Sequence, residues 1–217
     1  MANSILQVFP ATGSSLEETI NLPCFSERPT GRLLFADGVM PPLSLETHVT
    51  GFWNESFLFI LFCGRFLELR VDSEPLPPEK VGRTPHLWEK SDVYEAMLGW
   101  DCGRTGHYRE FQVAPNGRWV AADVRLEGDR VNTNEEWDVS FRCLSSVDEE
   151  EKIWKAAMQI PWQALGGLKG EGNLQCNFYR ATGKFHGDEL LAWSPIGYGD
   201  HCFYRPHLFG RVVLARQ

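Results

Sequence analysis

The alternation on either side of one glycine-rich turn constrains the fold of this chain more than any other feature. Polar and apolar residues alternate with period two in residues 87–98 and again in residues 107–117. The segment between them contains Gly99, Gly103 and Gly106, so the stretch is predicted to be a β-hairpin of two antiparallel strands. Asp92 and Glu95 then lie on opposite faces of the first strand, which predicts that the strand is not wholly buried.

Short alternating or apolar segments recur along the rest of the chain, with hardly any helical period. About ten strands at this spacing predict an all-β fold, an antiparallel β-sandwich of jelly-roll type with minor helical turns such as residues 162–165. A single domain is predicted over residues 1–217, with an N-terminal strand and wrapping loop in residues 1–40 and the core in residues 41–217. The predicted strands cover residues 5–9, 45–52, 57–62, 66–71, 87–98, 107–117, 119–126, 137–143, 153–160, 174–180, 190–193 and 208–214.

Composition and charge limit the partners. The formal net charge is -8 and no basic cluster is present, which argues against nucleic acid. The most apolar stretch, residues 56–67, is too short to span a bilayer, so no membrane partner is predicted. The first residues lack a secretory pattern, which predicts a cytoplasmic protein if Met1 is native and an extracellular one if a leader was removed. The six cysteines contain no Cys-x-x-Cys pair, and both free thiols and disulfides stay open.

Six motifs follow one another in an order typical of a known family. Together they resemble the family 9 carbohydrate-binding modules and their relatives in the DOMON-like superfamily, over roughly residues 40–217. The motifs are Leu87-Trp88-Glu89-x-x-Asp92-Val93-x-Glu95, Tyr108-x-Glu110-Phe111-x-Val113-x-Pro115-Asn116-Gly117, Ile160-Pro161-Trp162, Asn177-Phe178-Tyr179-Arg180, Ala192-Trp193-Ser194-Pro195 and Pro206-x-x-Phe209-Gly210.

The resemblance implies a non-catalytic domain that binds a mono- or oligosaccharide and serves carbohydrate catabolism. In such a site two aromatic side chains clamp the apolar faces of a sugar ring, while polar groups bind its hydroxyls. Trp88 matches the first clamp aromatic and Glu95 matches the acidic partner. The predicted polar groups at the rim are Arg109, Gln112 and Arg180.

The second clamp position departs from the family pattern. The sugar-binding modules have a tryptophan just before the Pro-x-x-Phe-Gly signature, but this chain has none between Asp200 and Arg205. Phe203 is the nearest match, with Tyr204 and His201 as substitutes. A smaller ring predicts weaker binding or a different ligand.

Two other functions stay open. Glycoside hydrolysis would need a carboxylate pair about 5 to 9 Å apart, and Glu95 and Glu110 lie on predicted neighbouring strands. Against this, no Gly-x-Ser-x-Gly nucleophile motif is present. Haem binding, which occurs in the same superfamily, would use methionine and histidine ligands. The candidates are Met40, Met97, Met158, His107 and His201.

A structural calcium ion is compatible with three acidic loops. Calcium takes six to eight oxygen ligands, which carboxylates and backbone carbonyls supply. The loops are residues 72–74, 129–136 and 148–151, and none of them matches an EF-hand.

Overall fold

The protein is an all-β sandwich with three short helices in its described part. The computed structural model describes residues 4–10, 15–25, 30–73, 82–128, 130–169, 172–182, 190–199 and 203–215. The strands are β1 (Ile5–Pro10), β2 (Gly31–Arg32), β3 (Leu34–Phe35), β4 (Thr47–Trp53), β5 (Phe57–Arg65), β6 (Val93–Trp100), β7 (His107–Val113), β8 (Trp119–Glu127), β9 (Arg130–Asn134), β10 (Arg142–Asp148), β11 (Ile153–Pro161), β12 (Leu174–Ala181), β13 (Leu191–Ala192) and β14 (Gly210–Leu214). The helices are α1 (Leu16–Ile20), α2 (Leu87–Lys90) and α3 (Cys102–Thr105), with 3-10 turns at Leu43–Leu45, Trp162–Leu165 and Pro206–Leu208.

The strands form two packed sheets that share β1. The front sheet runs β14-β12-β6-β7-β8-β9, and the back sheet runs β10-β11-β5-β4. Residues 5–8 of β1 pair with β14, and Phe9 and Pro10 pair with β4, both in parallel. The other pairings among the described strands are antiparallel. The predicted β-sandwich is confirmed. The strands that were not predicted include β2 and β3, which have only two residues each, and β9.

The core lies between the two sheets. Tyr94 of β6 stacks on Phe62 of β5 at 4.8 Å between ring centroids and on Trp154 of β11 at 3.7 Å. The apolar run in β5 pairs with β4 on one side and β11 on the other, as expected for a central strand. Its outer face is covered as well, because Leu61 packs with Leu16 of α1.

The predicted hairpin at residues 87–117 forms in part. Strands β6 and β7 pair antiparallel with Glu95 opposite Gln112. Residues 87–90 form α2 rather than strand, since the backbone N–H of Ser91 donates to the Leu87 carbonyl at 3.0 Å. The expectation that this strand is not wholly buried is wrong. Every residue of β6 is buried, Glu95 included.

Two other predicted strands are also wrong. Residues 66–71 cross one end of the sandwich, where the backbone N–H of Asp92 donates to the Arg70 carbonyl. Residues 137–141 precede β10, and their alternation reflects packing, because Trp137 lies under the Arg109 guanidinium at 4.6 Å. Sheet pairing and side-chain packing can produce the same apolar period.

The described cysteines include one disulfide pair and three free thiols. Cys24 and Cys63 form a disulfide with a Cα–Cα distance of 5.8 Å, in the range usual for such bonds. The free thiols among the described residues are Cys102, Cys143 and Cys176. No helix in the described ranges is long and apolar enough to cross a membrane.

We expect Arg180 to stabilise the fold. Its side chain is 1% exposed, and Nη1 donates to the Arg65 carbonyl at 2.6 Å and to Thr47 Oγ1 at 3.0 Å. Arg180→Met should lower the free energy of unfolding by about 3 kcal/mol, because it leaves buried acceptors unpaired. Urea denaturation measures this. The exposed Arg211 on β14 is the matched control, and equal losses for Arg180→Met and Arg211→Met would contradict the expectation.

Candidate functional site

The outer face of the front sheet carries a polar cluster on an apolar surface. Alternate residues of neighbouring strands meet there in two rows. One row is Tyr179, Glu95, Gln112 and Val120, and the next is Asn177, Met97, Glu110 and Ala122. Leu87 of α2 and Phe209 pack over the same surface. We call this surface the outer face.

Glu95 and Glu110 form a hydrogen-bonded carboxyl pair on the outer face. Glu95 is 4% exposed, and burial, together with the charge of Glu110, raises its pKa well above the ordinary value. Burial raises the pKa of Glu110 to about 6, opposed by hydrogen bonds from Glu95 and Gln112. Gln112 Nε2 donates to Glu110 Oε1 at 2.6 Å. Of the two carboxyl groups, Glu95 therefore holds its proton more tightly and donates it in the hydrogen bond to Glu110.

Two buried polar atoms beside this pair have no hydrogen-bond partner among the described residues. They are Gln112 Oε1, in a side chain 2% exposed, and Tyr108 Oη, in a side chain 1% exposed. Leaving such an atom unpaired costs roughly 1 to 3 kcal/mol, so buried polar groups are normally paired. Both atoms therefore mark places where a group from outside the chain can bind.

Aromatic rings border the cluster. The rings of Phe203 and Tyr179 meet edge-on, with 5.4 Å between their centroids. Tyr179 is the residue of β12 that pairs with Glu95 of β6. Tyr204 is close enough to both acids that, after burial itself, the charges of Glu110 and Glu95 help to raise its pKa to about 12. Phe203, Tyr204 and Glu110 are each partly exposed. Solvent therefore reaches the cluster at this point.

Trp88 lies at the edge of the same face. It belongs to α2, immediately before β6, and is 38% exposed, while its neighbour Leu87 packs into the apolar surface beneath the cluster. The structure thus gathers four predicted site residues on the outer face, with Trp88 at its edge. The four are Glu95, Gln112, Phe203 and Tyr204. His201 lies outside the described residues.

Arg180 and Arg109 do not join them. Both lie on the opposite, inner side of the front sheet, because each is an odd number of residues from a member of the cluster on its own strand. The contacts that hold Arg180 within the sandwich leave it no route to the outer face. Arg109 forms an ion pair with Asp123 and donates from Nε to the Ala164 carbonyl at 3.1 Å.

Arg109 lines a separate open cavity of about 290 Å³. Trp100, His107 and Lys169 share its wall. Tyr108, whose position on β7 places it on the outer face, lines this cavity as well, whereas Glu95, Glu110 and Gln112 do not.

Sequence reasoning missed three residues of the site. Tyr108 and Tyr179 were not predicted, nor was Asn177, which donates from Nδ2 to Tyr179 Oη at 2.9 Å and so orients that ring. The period-two alternation contained part of the signal. Counting back from Gln112 by two residues gives Glu110, and by four gives Tyr108.

The predicted metal and haem ligands occupy other environments. In the part of the chain that the structure describes, no group of three His, Cys, Asp or Glu side chains could hold a metal ion. Asp72 forms an ion pair with Arg118, and Asp148 Oδ1 accepts from two backbone N–H groups of its own turn. Met97 lies on the outer face and Met158 in the core, on opposite sides of the front sheet.

Solved structures share this fold. No protein-family model and no curated protein matches the sequence. A candidate carbohydrate-binding protein from Bacteroides uniformis is similar with a TM-score of 0.75 and 19% identity, covering 99% of this chain and 100% of that chain. A family 9 carbohydrate-binding module from Caldicellulosiruptor kristjanssonii, in complex with cellotriose, has a TM-score of 0.62 and 10% identity, covering 99% of this chain and 95% of that chain. A module of the same description in complex with glucose has a TM-score of 0.57 and 11% identity, with coverages of 99% and 97%. At these identities the likeness shows a fold of the family 9 module type.

The carboxyl pair should make stability depend on pH. The pKa of Glu110 is about 6 in the folded protein against 4.5 for the free side chain, so folding favours the protonated form. This contribution is complete below pH 4.5 and is lost as the pH rises through about 6. Relative to Glu110→Gln, the wild type should lose roughly 2 kcal/mol of unfolding free energy over this interval. Urea titrations from pH 4.5 to 7.5 measure it.

The exposed Glu127 at the end of β8 provides the matched control. Glu127→Gln should follow the wild type at every pH. A difference between wild type and Glu110→Gln that does not change with pH would show that Glu110 titrates normally.

Proposed function

We propose that the protein binds a saccharide on the outer face of the front sheet and does not cleave it. One observation carries the proposal: partly exposed aromatic rings border a buried acid and amide cluster with two unpaired polar atoms. A pyranose has apolar C–H faces and a rim of hydroxyls. The cluster offers surfaces for both.

The polar part of the site suits hydroxyl groups. The Glu110 carboxylate accepts hydrogen bonds, and charge-assisted bonds of this kind are stronger than neutral ones. Gln112 Oε1 accepts one more, and Tyr108 Oη donates or accepts. A sugar with adjacent hydroxyls would pair these atoms together and remove the cost of leaving them unpaired.

The apolar part of the site is formed by aromatic side chains. We infer that Phe203 and Tyr204 contact one face of the sugar ring and that Trp88 forms the first side of the clamp. The exposed fraction of Trp88 and the position of α2 at the edge of the outer face support this role. A phenyl ring buries less apolar area than an indole, so the affinity should be modest.

The carboxyl geometry favours binding over hydrolysis. Glycosidases hold their two carboxyl groups about 5 to 9.5 Å apart, which leaves room for the sugar bond or for a water. Glu95 and Glu110 hydrogen-bond each other directly. A pair in direct contact leaves no space for the anomeric carbon.

The structural neighbours support a glucose-type ligand. Two modules of this fold from Caldicellulosiruptor kristjanssonii are complexes with cellotriose and with glucose. We infer a similar ligand class here and a role in capturing saccharides for their breakdown. The Cys24–Cys63 disulfide supports an oxidising compartment, where such bonds persist.

Isothermal titration with glucose, cellobiose and cellotriose tests the proposal. The wild type should bind at least one of them, and Phe203→Ala and Trp88→Ala should each weaken the binding about tenfold or more, because ring contact is lost. Phe57→Ala removes a ring from the start of β5 in the back sheet and should leave the affinity unchanged. Unchanged binding in both site variants, with unchanged thermal melting, would locate the sugar elsewhere.

A further inference from the structure

We propose that the saccharide carries a protonated amine, as an amino sugar does, and that its ammonium group binds against the Glu95–Glu110 pair. This inference rests on the proposed function, because it names the class of sugar that the same site would take. It begins from the charge of the outer face, which a neutral sugar would not require.

Acidic groups dominate the electrostatics of the outer face. The neighbours with the largest effects on the hydroxyls of Tyr108 and Tyr204 are carboxylates and other tyrosines. Glu135 lies close enough to contribute to both Glu110 and Tyr204. The face therefore attracts a cation more strongly than a neutral group.

Four basic side chains near the front sheet are engaged elsewhere. Arg109 and Arg180 lie across the front sheet, held by Asp123 and by carbonyls of the back sheet. His86 Nδ1 lies 3.7 Å from Glu135 Oε1, and Arg83 donates to the Glu135 backbone carbonyl. The contacts of these four side chains do not include the Glu95–Glu110 pair, so none of the four neutralises it.

The unpaired atoms fit an ammonium group in number and type. An ammonium has three N–H donors. The two carboxyl groups and Gln112 Oε1 are three acceptors on the same face of neighbouring strands, and Gln112 Oε1 is buried and unpaired among the described residues. A hydroxyl in the same place has one donor and would leave acceptors unpaired. The partly exposed rings of Phe203 and Tyr204 lie at the entrance and add a cation–π attraction.

The proton shared by the carboxyl pair has a defined fate. In the free protein Glu95 carries it and donates it to Glu110. When an ammonium group binds, the O–H bond of Glu95 breaks, the proton leaves to solvent, and two carboxylates face one cation. The amine keeps all of its own protons. Near neutral pH binding therefore releases up to one proton, from Glu95. Below about pH 6 Glu110 is protonated as well and its proton is also released, so the affinity rises with pH between about 5 and 7 while the amine stays protonated.

Titration calorimetry with glucosamine, glucose, N-acetylglucosamine and methylammonium chloride tests the inference on the intact chain. Glucosamine should bind at least tenfold more tightly than glucose, and N-acetylglucosamine, which lacks the charge, should show no such gain. Repeating the glucosamine titration in phosphate and in Tris should give different heats, because a released proton is taken up by the buffer.

Two isosteric variants examine the carboxyl pair. Glu110→Gln and Glu95→Gln should each abolish the preference for glucosamine over glucose, while the control Glu127→Gln should retain it. Thermal melting of each variant checks that the fold is intact. If Glu95→Gln fails to fold, the partly exposed Glu110 still carries the test.

The outcomes separate the two proposals. Equal affinity for glucose and glucosamine, or a preference for glucose, would overturn the amine inference and leave sugar binding standing. Binding of methylammonium but of none of the sugars, glucosamine included, would overturn both proposals, because the cation would then bind without a saccharide. No heat with any of the four compounds would overturn both.

Discussion

The stacking of Tyr94 between Phe62 and Trp154 is the contact on which the rest of the site depends. It fixes the inner face of β6 against the back sheet, with ring centroids 4.8 and 3.7 Å apart. Because side chains of a strand alternate between its faces, locking Tyr94 inward requires Glu95 to point outward. A register slip of one residue would exchange a buried aromatic for a carboxylate in the core, which no partner there could compensate. The apolar core therefore positions the polar cluster.

The outer face of the front sheet is also covered, and this explains its unusual chemistry. A carboxylate on an open sheet face would be hydrated and would titrate normally. Here Leu87 and Phe209 belong to the apolar cluster on this face and Glu95 is 4% exposed, and a buried acid either finds a cation or holds its proton. Glu95 holds its proton and shares it with Glu110. Unpaired polar groups in an otherwise well-packed fold are the places where stability has been given up, and such places are commonly functional sites.

Much of the fold could be predicted from alternation and turn residues. The hairpin strands β6 and β7, the central strand β5 and the turn at Trp162–Leu165 all have local signals that agree with the structure. Residues 137–141 were wrongly predicted to be a strand, because the packing of Trp137 under the Arg109 guanidinium contributes to the same alternation that a strand shows. Residues 87–90 were wrongly predicted to be a strand, because a single helical turn is too short to display the helical period of 3.6 residues.

The face on which a site residue lies could be predicted only where the alternation within a single strand determines it. Gln112 and Arg109 are three residues apart on β7, so alternation alone shows that their side chains lie on opposite faces of the strand. Arg180 is different, because its side depends on Tyr179 being in register with Glu95 across two strands, and a sequence does not contain that register. Because alternation places Arg109 and register places Arg180 on the inner side, the outer face lacks these two predicted cations of a sugar-binding site. The carboxyl groups of Glu95 and Glu110 then dominate the charge of the outer face.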